Sequence, residues 1–77
     1  MTKKEWRLKF SQKVLSKMKR LEINQRELSR LSQIPENTLS RYLNATRTPQ
    51  ADVIVNLAKA LQCSVNELIQ FGEMVTH

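Results

Sequence analysis

The scarcity of glycine and proline constrains the fold of this chain more than any other feature. Glycine occurs once, at Gly72, and proline twice, at Pro35 and Pro49. No stretch alternates apolar and polar residues in the way that a half-buried strand requires. The sequence therefore predicts an all-α protein in which the two prolines separate helices.

The first helix is predicted to run from about Lys3 to Arg20. Thr2 and Glu5 have the spacing of a capping box, in which each side chain bonds the other residue's backbone amide. Apolar residues then recur at every fourth position, and Leu15 widens this stripe; its members are Trp6, Phe10, Val14 and Met18. Basic residues recur at helical spacing on a polar side that could lie near phosphates, namely Lys9, Lys13, Lys17 and Arg20.

Four shorter helices are predicted to follow. Asn24 with Glu27 three residues later is a second start signal, and Ser64 with Glu67 is another capping box. Pro35 disfavours helical dihedrals in the residue before it but suits a first helical position. The predicted helices are Gln25 to Ser32, Pro35 to Asn44, Pro49 to about Leu61, and a short one after Ser64 that ends near Gly72. The inward face of the fourth helix comprises Val53, Ile54, Leu57, Ala58 and Leu61.

The length and the charge of the chain point to one basic domain. A chain of 77 residues buries one modest core, so we expect residues 1–77 to form a single domain with a short tail at 72–77. The formal net charge is +6, with +7 on residues 1–30 and −1 on residues 31–77. Such a charge favours a polyanionic partner, either nucleic acid or an anionic membrane surface. A basic helix face is also often only solvated, so charge alone favours nucleic-acid binding and simple solubility equally.

Other classes of site lack the residues that they need. Cys63 is the one cysteine and His77 the one histidine, so the chain has no intramolecular disulfide and too few ligands for zinc. We expect Cys63 to be a small buried hydrophobe. No nucleophile accompanies a base, so we expect no enzymatic activity, no cofactor and no small-molecule ligand. The charged N-terminus lacks the apolar stretch of a signal peptide and no segment is apolar enough to span a bilayer, so we expect a cytoplasmic protein without a membrane partner.

Residues 25–44 have the pattern of a helix-turn-helix, in which two helices are joined by a turn of three or four residues. Small Ser29 permits close approach of the helices, and the residues expected between them are Leu28, Leu31, Ile34, Leu39 and Tyr42. Helical spacing then puts polar side chains on the opposite side of the third helix, namely Asn37, Ser40, Arg41 and Asn44. Arginine can pair with the guanine edge, asparagine with the adenine edge and serine with either. Because only Arg41 among them is charged, the face favours base recognition over simple solubility.

On these residues the chain resembles the Cro/C1-type (lambda repressor-like, XRE family) helix-turn-helix domain of many bacterial and phage transcription regulators. The resemblance covers about residues 11–70. It rests on Ile23-Asn24-Gln25, Leu28-Ser29, Ile34-Pro35, the run from Thr38 to Asn44, Pro49, the run from Leu57 to Leu61, and the run from Ser64 to Leu68. The resemblance implies a five-helix fold with the helix-turn-helix at helices two and three.

The resemblance also implies roles for individual residues. It assigns base contacts to Glu36, Asn37, Ser40 and Arg41. It assigns phosphate contacts to Asn24, Gln25, Thr38, Asn44, Thr46, Arg47 and Thr48. Glu36 could equally stabilise the N-terminus of helix three, and Asn44 could be its C-cap. The family often has glycine where this chain has Gln33, and a left-handed residue there would cost about 1 kcal/mol or more.

The function implied by the resemblance is sequence-specific DNA binding by a transcriptional regulator, a Cro-like or C1-like repressor that binds a palindromic operator as a homodimer. One recognition helix reads too few base pairs to select a genomic site, which favours a dimer. We expect its interface in helix five and the tail, at Ile69, Phe71, Met74 and Val75, although these side chains could instead pack on the chain's own core. Two alternatives stay open: an antitoxin or accessory module that holds a protein partner, and a basic helical bundle without DNA specificity.

Overall fold

The computed structural model describes residues 2–70, which form five helices and no strand. In chain order the helices are α1 (Lys3–Leu21), α2 (Gln25–Ser32), α3 (Glu36–Leu43), α4 (Ala51–Ala60) and α5 (Val65–Ile69). The all-α prediction is confirmed, and α2 agrees with its predicted range at both ends.

α1 begins at Lys3 as predicted and ends at Leu21, one residue later than predicted, and the ends of the other helices also differ slightly. Pro35 is the N-cap of α3 instead of its first residue, because its ψ of 142° is not helical. α4 begins after Pro49 and an extended N-cap at Gln50, whose ψ is 167°, and it ends at Ala60 with Leu61 as C-cap. The prediction that the last helix ends near Gly72 was wrong, because α5 ends at Ile69 and its C-cap Gln70 is extended, with a ψ of 111°.

Side-chain caps fix the starts of α1, α2 and α5. The capping boxes predicted at Thr2–Glu5 and Ser64–Glu67 are both formed. At the start of α2, the Asn24 side chain accepts from the amide of Glu27 at 2.8 Å, and the Glu27 carboxylate accepts from the amide of Asn24 at 3.4 Å. Each box satisfies backbone donors that have no partner inside the helix, so these three helix starts are determined locally by the sequence.

Left-handed residues follow the first four helices, and none of them is glycine. They are Glu22, Gln33, Ala45 and Gln62, with φ between 57° and 61°. The expectation at Gln33 is confirmed, since its φ of 61° and ψ of 30° lie in the left-handed region. The Cβ atom of a residue other than glycine makes this conformation costly, and tertiary packing has to supply the difference.

One hydrophobic core joins all five helices. It contains Phe10, Val14 and Met18 of α1, Leu28 of α2, Ile34 of the turn, Leu39 and Tyr42 of α3, Leu57 and Ala58 of α4, Leu61, and Leu68 of α5. Trp6, Val53 and Ile54 are partly buried against it. The predicted inward stripes of α1 and α4 therefore do face the core.

Three burial predictions were wrong. Leu15 is 46% exposed and Leu31 is 48% exposed. The buried face of α1 is centred near Val14 and that of α2 near Leu28 and Ser32, so at about 100° per residue both leucines lie at the edge of their face. Cys63 is only partly buried; this burial, with the nearby Glu67 carboxylate, raises the pKa of its thiol.

An ion pair joins the first helix, α1, to the last helix, α5. The ammonium of Lys17 on α1 lies 2.9 Å from the Glu67 carboxylate at the start of α5. The hydrogen bond from the Ser64 backbone lowers the pKa of Glu67 most, and the Lys17 contact lowers it further, to about 2. The charged form of Glu67 is therefore favoured by the fold.

We predict that Glu67→Gln removes part of the acid sensitivity of folding. Because the pKa of Glu67 falls from 4.5 to about 2 on folding, its stabilising contribution is fully present above about pH 4.5 and is lost as the pH falls towards 2. Urea unfolding measured across this interval should show a weaker pH dependence for Glu67→Gln than for the wild type. Glu22→Gln is the control for net charge, and an equal change in both variants would contradict the prediction.

We predict that Gln33→Gly stabilises the protein by about 0.5–1 kcal/mol. Glycine removes the left-handed penalty, and its greater freedom in the unfolded chain offsets part of that gain. The midpoint of urea unfolding should rise without a change in slope. Gln12→Gly, in the middle of α1, should instead destabilise by about 1 kcal/mol. A lower midpoint for Gln33→Gly would show that the Gln33 side chain makes a contact that outweighs its backbone strain.

Candidate nucleic-acid interface

The turn between α2 and α3 is closed by a small set of hydrogen bonds. The hydroxyl of Ser29 donates to the carbonyl of Ile34, and the amide of Ile34 donates back to the carbonyl of Ser29 at 3.2 Å. Ile34 itself is buried at 6% exposure. Ser29 therefore has a second role besides its small size, because its hydroxyl fixes the chain as it leaves α2.

Packing on one side of α3 determines which side remains open. Leu39 and Tyr42 are buried, and α3 contacts both α1 and α2. Glu36, Asn37 and Arg41 are exposed, and Ser40 and Thr38 are partly buried; all five belong to α3. The base-contact candidates thus lie on a single helix, most of them accessible to a ligand.

Two side chains of this face already have polar partners. The side-chain oxygen Oδ1 of Asn37 accepts from the backbone amide of Thr38 at 2.9 Å, so the side-chain NH₂ group of Asn37 is the part available to a ligand. Asn44 donates from its side-chain amide to the hydroxyl of Ser40 at 3.3 Å. A two-way contact of Asn37 with an adenine edge would have to replace its bond to Thr38.

Gln25 links the two helices of the motif. Its side-chain NH₂ donates to the carbonyl of Glu36 at 3.2 Å, across eleven positions of sequence. The second N–H of that NH₂ group can donate a hydrogen bond to a phosphate oxygen. Beside it, the Asn24 oxygen is used in capping α2, which leaves the Asn24 NH₂ group for a phosphate.

Glu36 lies in the first turn of α3. The N-cap residue of this helix, Pro35, makes no side-chain hydrogen bond to the backbone amides of that turn. A carboxylate at this position is favoured by the positive end of the helix dipole. The structure is compatible with both interpretations of Glu36, as a base-contacting residue and as a stabiliser of the helix start.

The segment 45–48, which we call the post-α3 loop, follows directly from the C-cap Asn44. Ala45 is left-handed, and the amide and the hydroxyl of Thr46 both donate to the carbonyl of Arg41, at 3.0 and 3.1 Å. Arg47 and Thr48 are exposed. Because the Thr46 hydroxyl proton is engaged, Arg47 and Thr48 are the better-placed phosphate donors of this loop. The expectation that Asn44 could be a C-cap is confirmed.

The basic residues of α1 are placed less simply than the sequence suggests. Lys17, which the sequence groups with Lys9, Lys13 and Arg20, bonds Glu67 on α5. Arg7, which sequence analysis did not single out, donates to the carbonyl of Thr46 in the post-α3 loop at 3.3 Å. No local pattern marks Arg7, because its partner is 39 positions away.

Other features of residues 2–70 offer little competing chemistry. Within this range no cluster of metal-ligating side chains is found, and no helix is long and apolar enough to cross a membrane. Of the residues expected at a dimer interface, Ile69 is partly buried against the chain's own core. Phe71, Met74 and Val75 lie outside the described residues.

Comparison with known protein families matches residues 13–73 to the Cro/C1-type HTH DNA-binding domain. No curated protein and no solved structure gives a significant match. The matched range contains α2, the turn, α3 and the post-α3 loop, but it leaves the first turns of α1 outside.

Proposed function

Because this chain belongs to the Cro/C1-type HTH DNA-binding domain family, a family of DNA-binding regulators, we propose that it is a sequence-specific transcriptional repressor of the Cro-like or C1-like kind. In this proposal residues 1–77 are one DNA-binding domain, which acts in the cytoplasm without catalysing a reaction. The observation that supports it best is the open polar face of α3, on a helix whose opposite side is buried.

The chemistry of that face suits base edges in the major groove. Arg41 can donate two hydrogen bonds to guanine, and Asn37 and Ser40 can bond adenine or other base edges. Glu36, at the start of the helix, can accept from the cytosine amine. Arg41 is the one basic group among these four residues, so their value lies in directional hydrogen bonds more than in charge.

Phosphate contacts would hold α3 in the groove. The candidates surround the helix at both ends and are Asn24, Gln25, Thr38, Asn44, Thr46, Arg47 and Thr48. The hydrogen bond from Gln25 to the carbonyl of Glu36 connects the phosphate candidates at the start of α2 to the start of α3. The hydrogen bonds from Thr46 to the carbonyl of Arg41 connect the candidates of the post-α3 loop to the end of α3. A shift of the backbone contacts would therefore also shift the residues that contact bases.

A homodimer on a palindromic operator completes the proposal. One α3 reads only a few base pairs, and two copies related by a twofold axis would read half-sites about 34 Å apart. α5 with Ile69, and the tail with Phe71, Met74 and Val75, are the proposed interface. Burial of Ile69 against the chain's own core weakens its share in this interface, which leaves the tail as the main candidate.

The test is selection of bound duplexes from a random pool, followed by measurement of the stoichiometry of the complex. The proposal predicts a palindromic consensus, two chains per duplex, and affinity that falls steeply with salt. A duplex bound by one chain with an asymmetric consensus would contradict the dimer. Weak, sequence-independent binding would contradict the regulator and favour a generic basic bundle; negligible duplex affinity would favour an antitoxin or accessory module.

We predict that Arg41→Ala costs about 1–3 kcal/mol of binding energy on the selected duplex and relaxes the preference at one base pair. The loss should be much smaller on a random duplex, because it removes a base contact. Arg30→Ala removes an exposed arginine from α2 and should leave the base preference unchanged. Equal losses of Arg41→Ala on selected and random duplexes would contradict the assignment.

We predict that Arg47→Ala weakens binding to all duplexes by a similar factor. The slope of the log-log dependence of affinity on salt should become shallower by about 0.9, the value for one lost phosphate contact. Titrations at several salt concentrations, with Arg30→Ala as the matched control, measure this slope. An unchanged slope would exclude Arg47 as a phosphate ligand.

A further inference from the structure

α1 begins well before the family match. The match starts at residue 13 and α1 at Lys3, so residues 3–12 add about three turns of helix, roughly 15 Å long. We call this segment the α1 extension. The family match therefore does not describe this part of α1.

The α1 extension is held against the core and does not project freely. Phe10 and Ser11 are buried at 1% and 2% exposure. The rings of Trp6 and Phe10 stack with their centroids 5.3 Å apart and their planes 7° from parallel. Ser11 donates from its hydroxyl to the carbonyl of Leu8 at 2.8 Å. Side chains on neighbouring turns of the extension are therefore placed at fixed positions.

Arg7 uses that placement to connect two backbone segments. Its Nε donates to the carbonyl of Lys3, and its terminal nitrogen donates to the carbonyl of Thr46, both at 3.3 Å. Lys3, Trp6 and Thr48 also line a cavity of about 220 Å³ where the extension meets the post-α3 loop. The extension thus borders this loop at both Thr46 and Thr48.

The loop has few other restraints of its own. The amide and hydroxyl of Thr46 hold its beginning to α3, and burial of Pro49 holds its end. Arg47 and Thr48 lie between these points and are exposed. The guanidinium of Arg7 holds the side of the loop that faces α1, through the Thr46 carbonyl.

We propose that Arg7 is a positioning residue for DNA binding, which holds the post-α3 loop so that Arg47 and Thr48 meet the phosphate backbone. This inference rests on the proposed function, because those phosphate contacts are its premise. In this proposal Arg7 acts through the loop, because Nε and one terminal nitrogen of its guanidinium donate to backbone carbonyls. A planar guanidinium can bridge two carbonyls at once, which a single ammonium group does less well.

A double-mutant cycle of Arg7→Gln and Arg47→Ala tests this coupling on the full chain and the selected duplex. Arg7→Gln alone should lose about threefold to tenfold in affinity, as expected for one hydrogen bond. Together the two changes should lose less than the product of their separate losses, by a factor of about two or more, because Arg47 is already misplaced when Arg7 is absent.

Lys4→Gln provides the matched control, because Lys4 is an exposed cation in the same turns of α1. Its loss should be small, and in combination with Arg47→Ala the two losses should multiply. If the losses of Arg7→Gln and Arg47→Ala also multiply, or if Arg7→Gln binds like the wild type, the positioning role is wrong. Failure of the wild type to bind any duplex would instead refute the proposed function and this inference with it.

Amide hydrogen exchange without DNA separates positioning from misfolding. In Arg7→Gln the amide of Thr46 should exchange about threefold faster or more, a change equivalent to loss of about one hydrogen bond. The amides of Leu28 and Leu39, which lie in the core helices, should keep their wild-type rates. Faster exchange at all three amides would attribute the loss of affinity to general destabilisation and overturn the proposal, and so would an unchanged rate at Thr46.

Discussion

The turn between α2 and α3 is the constraint on which the rest of the interface depends. The left-handed Gln33 reverses the chain, the Ser29 hydroxyl bonds the carbonyl of Ile34, and Ile34 is buried at the junction. With this geometry Leu39 enters the core, and the opposite side of α3 has to face solvent. The chain accepts the strain of a left-handed glutamine because the burial of Ile34 and Leu39 offsets it.

The fold was predictable where its causes are local. The capping boxes at Thr2 and Ser64 depend on residues three positions apart, and the apolar spacing of α1 identifies its buried stripe. Predictions failed where the answer depends on how one helix packs on another. Leu15 and Leu31 lie at the edges of their buried faces, so a small rotation of each helix decides their exposure.

The same distinction holds for the candidate interface. Spacing within α3 was sufficient to identify its polar face, because an i, i+3, i+4 pattern is a property of the helix itself. It could not identify the bond from Gln25 to Glu36 or that from Arg7 to Thr46, which join distant positions. Nor could it show that Lys17 is paired with Glu67 instead of being available to a phosphate. The sequence indicated that basic residues of the first helix could lie near phosphates, whereas in the structure Arg7 of that helix donates to the post-α3 loop.

The central claim is that α3 contacts the bases while the segments at its two ends bind the phosphates. Amide NMR spectra recorded during titration with the selected duplex and with a random duplex of equal length test this division most directly. The account predicts shifts at Gln25 and at residues 44–48 with both duplexes, and large additional shifts at Glu36, Asn37, Ser40 and Arg41 only with the selected one. Similar shifts at these four residues with both duplexes, or shifts concentrated on α5, would contradict it.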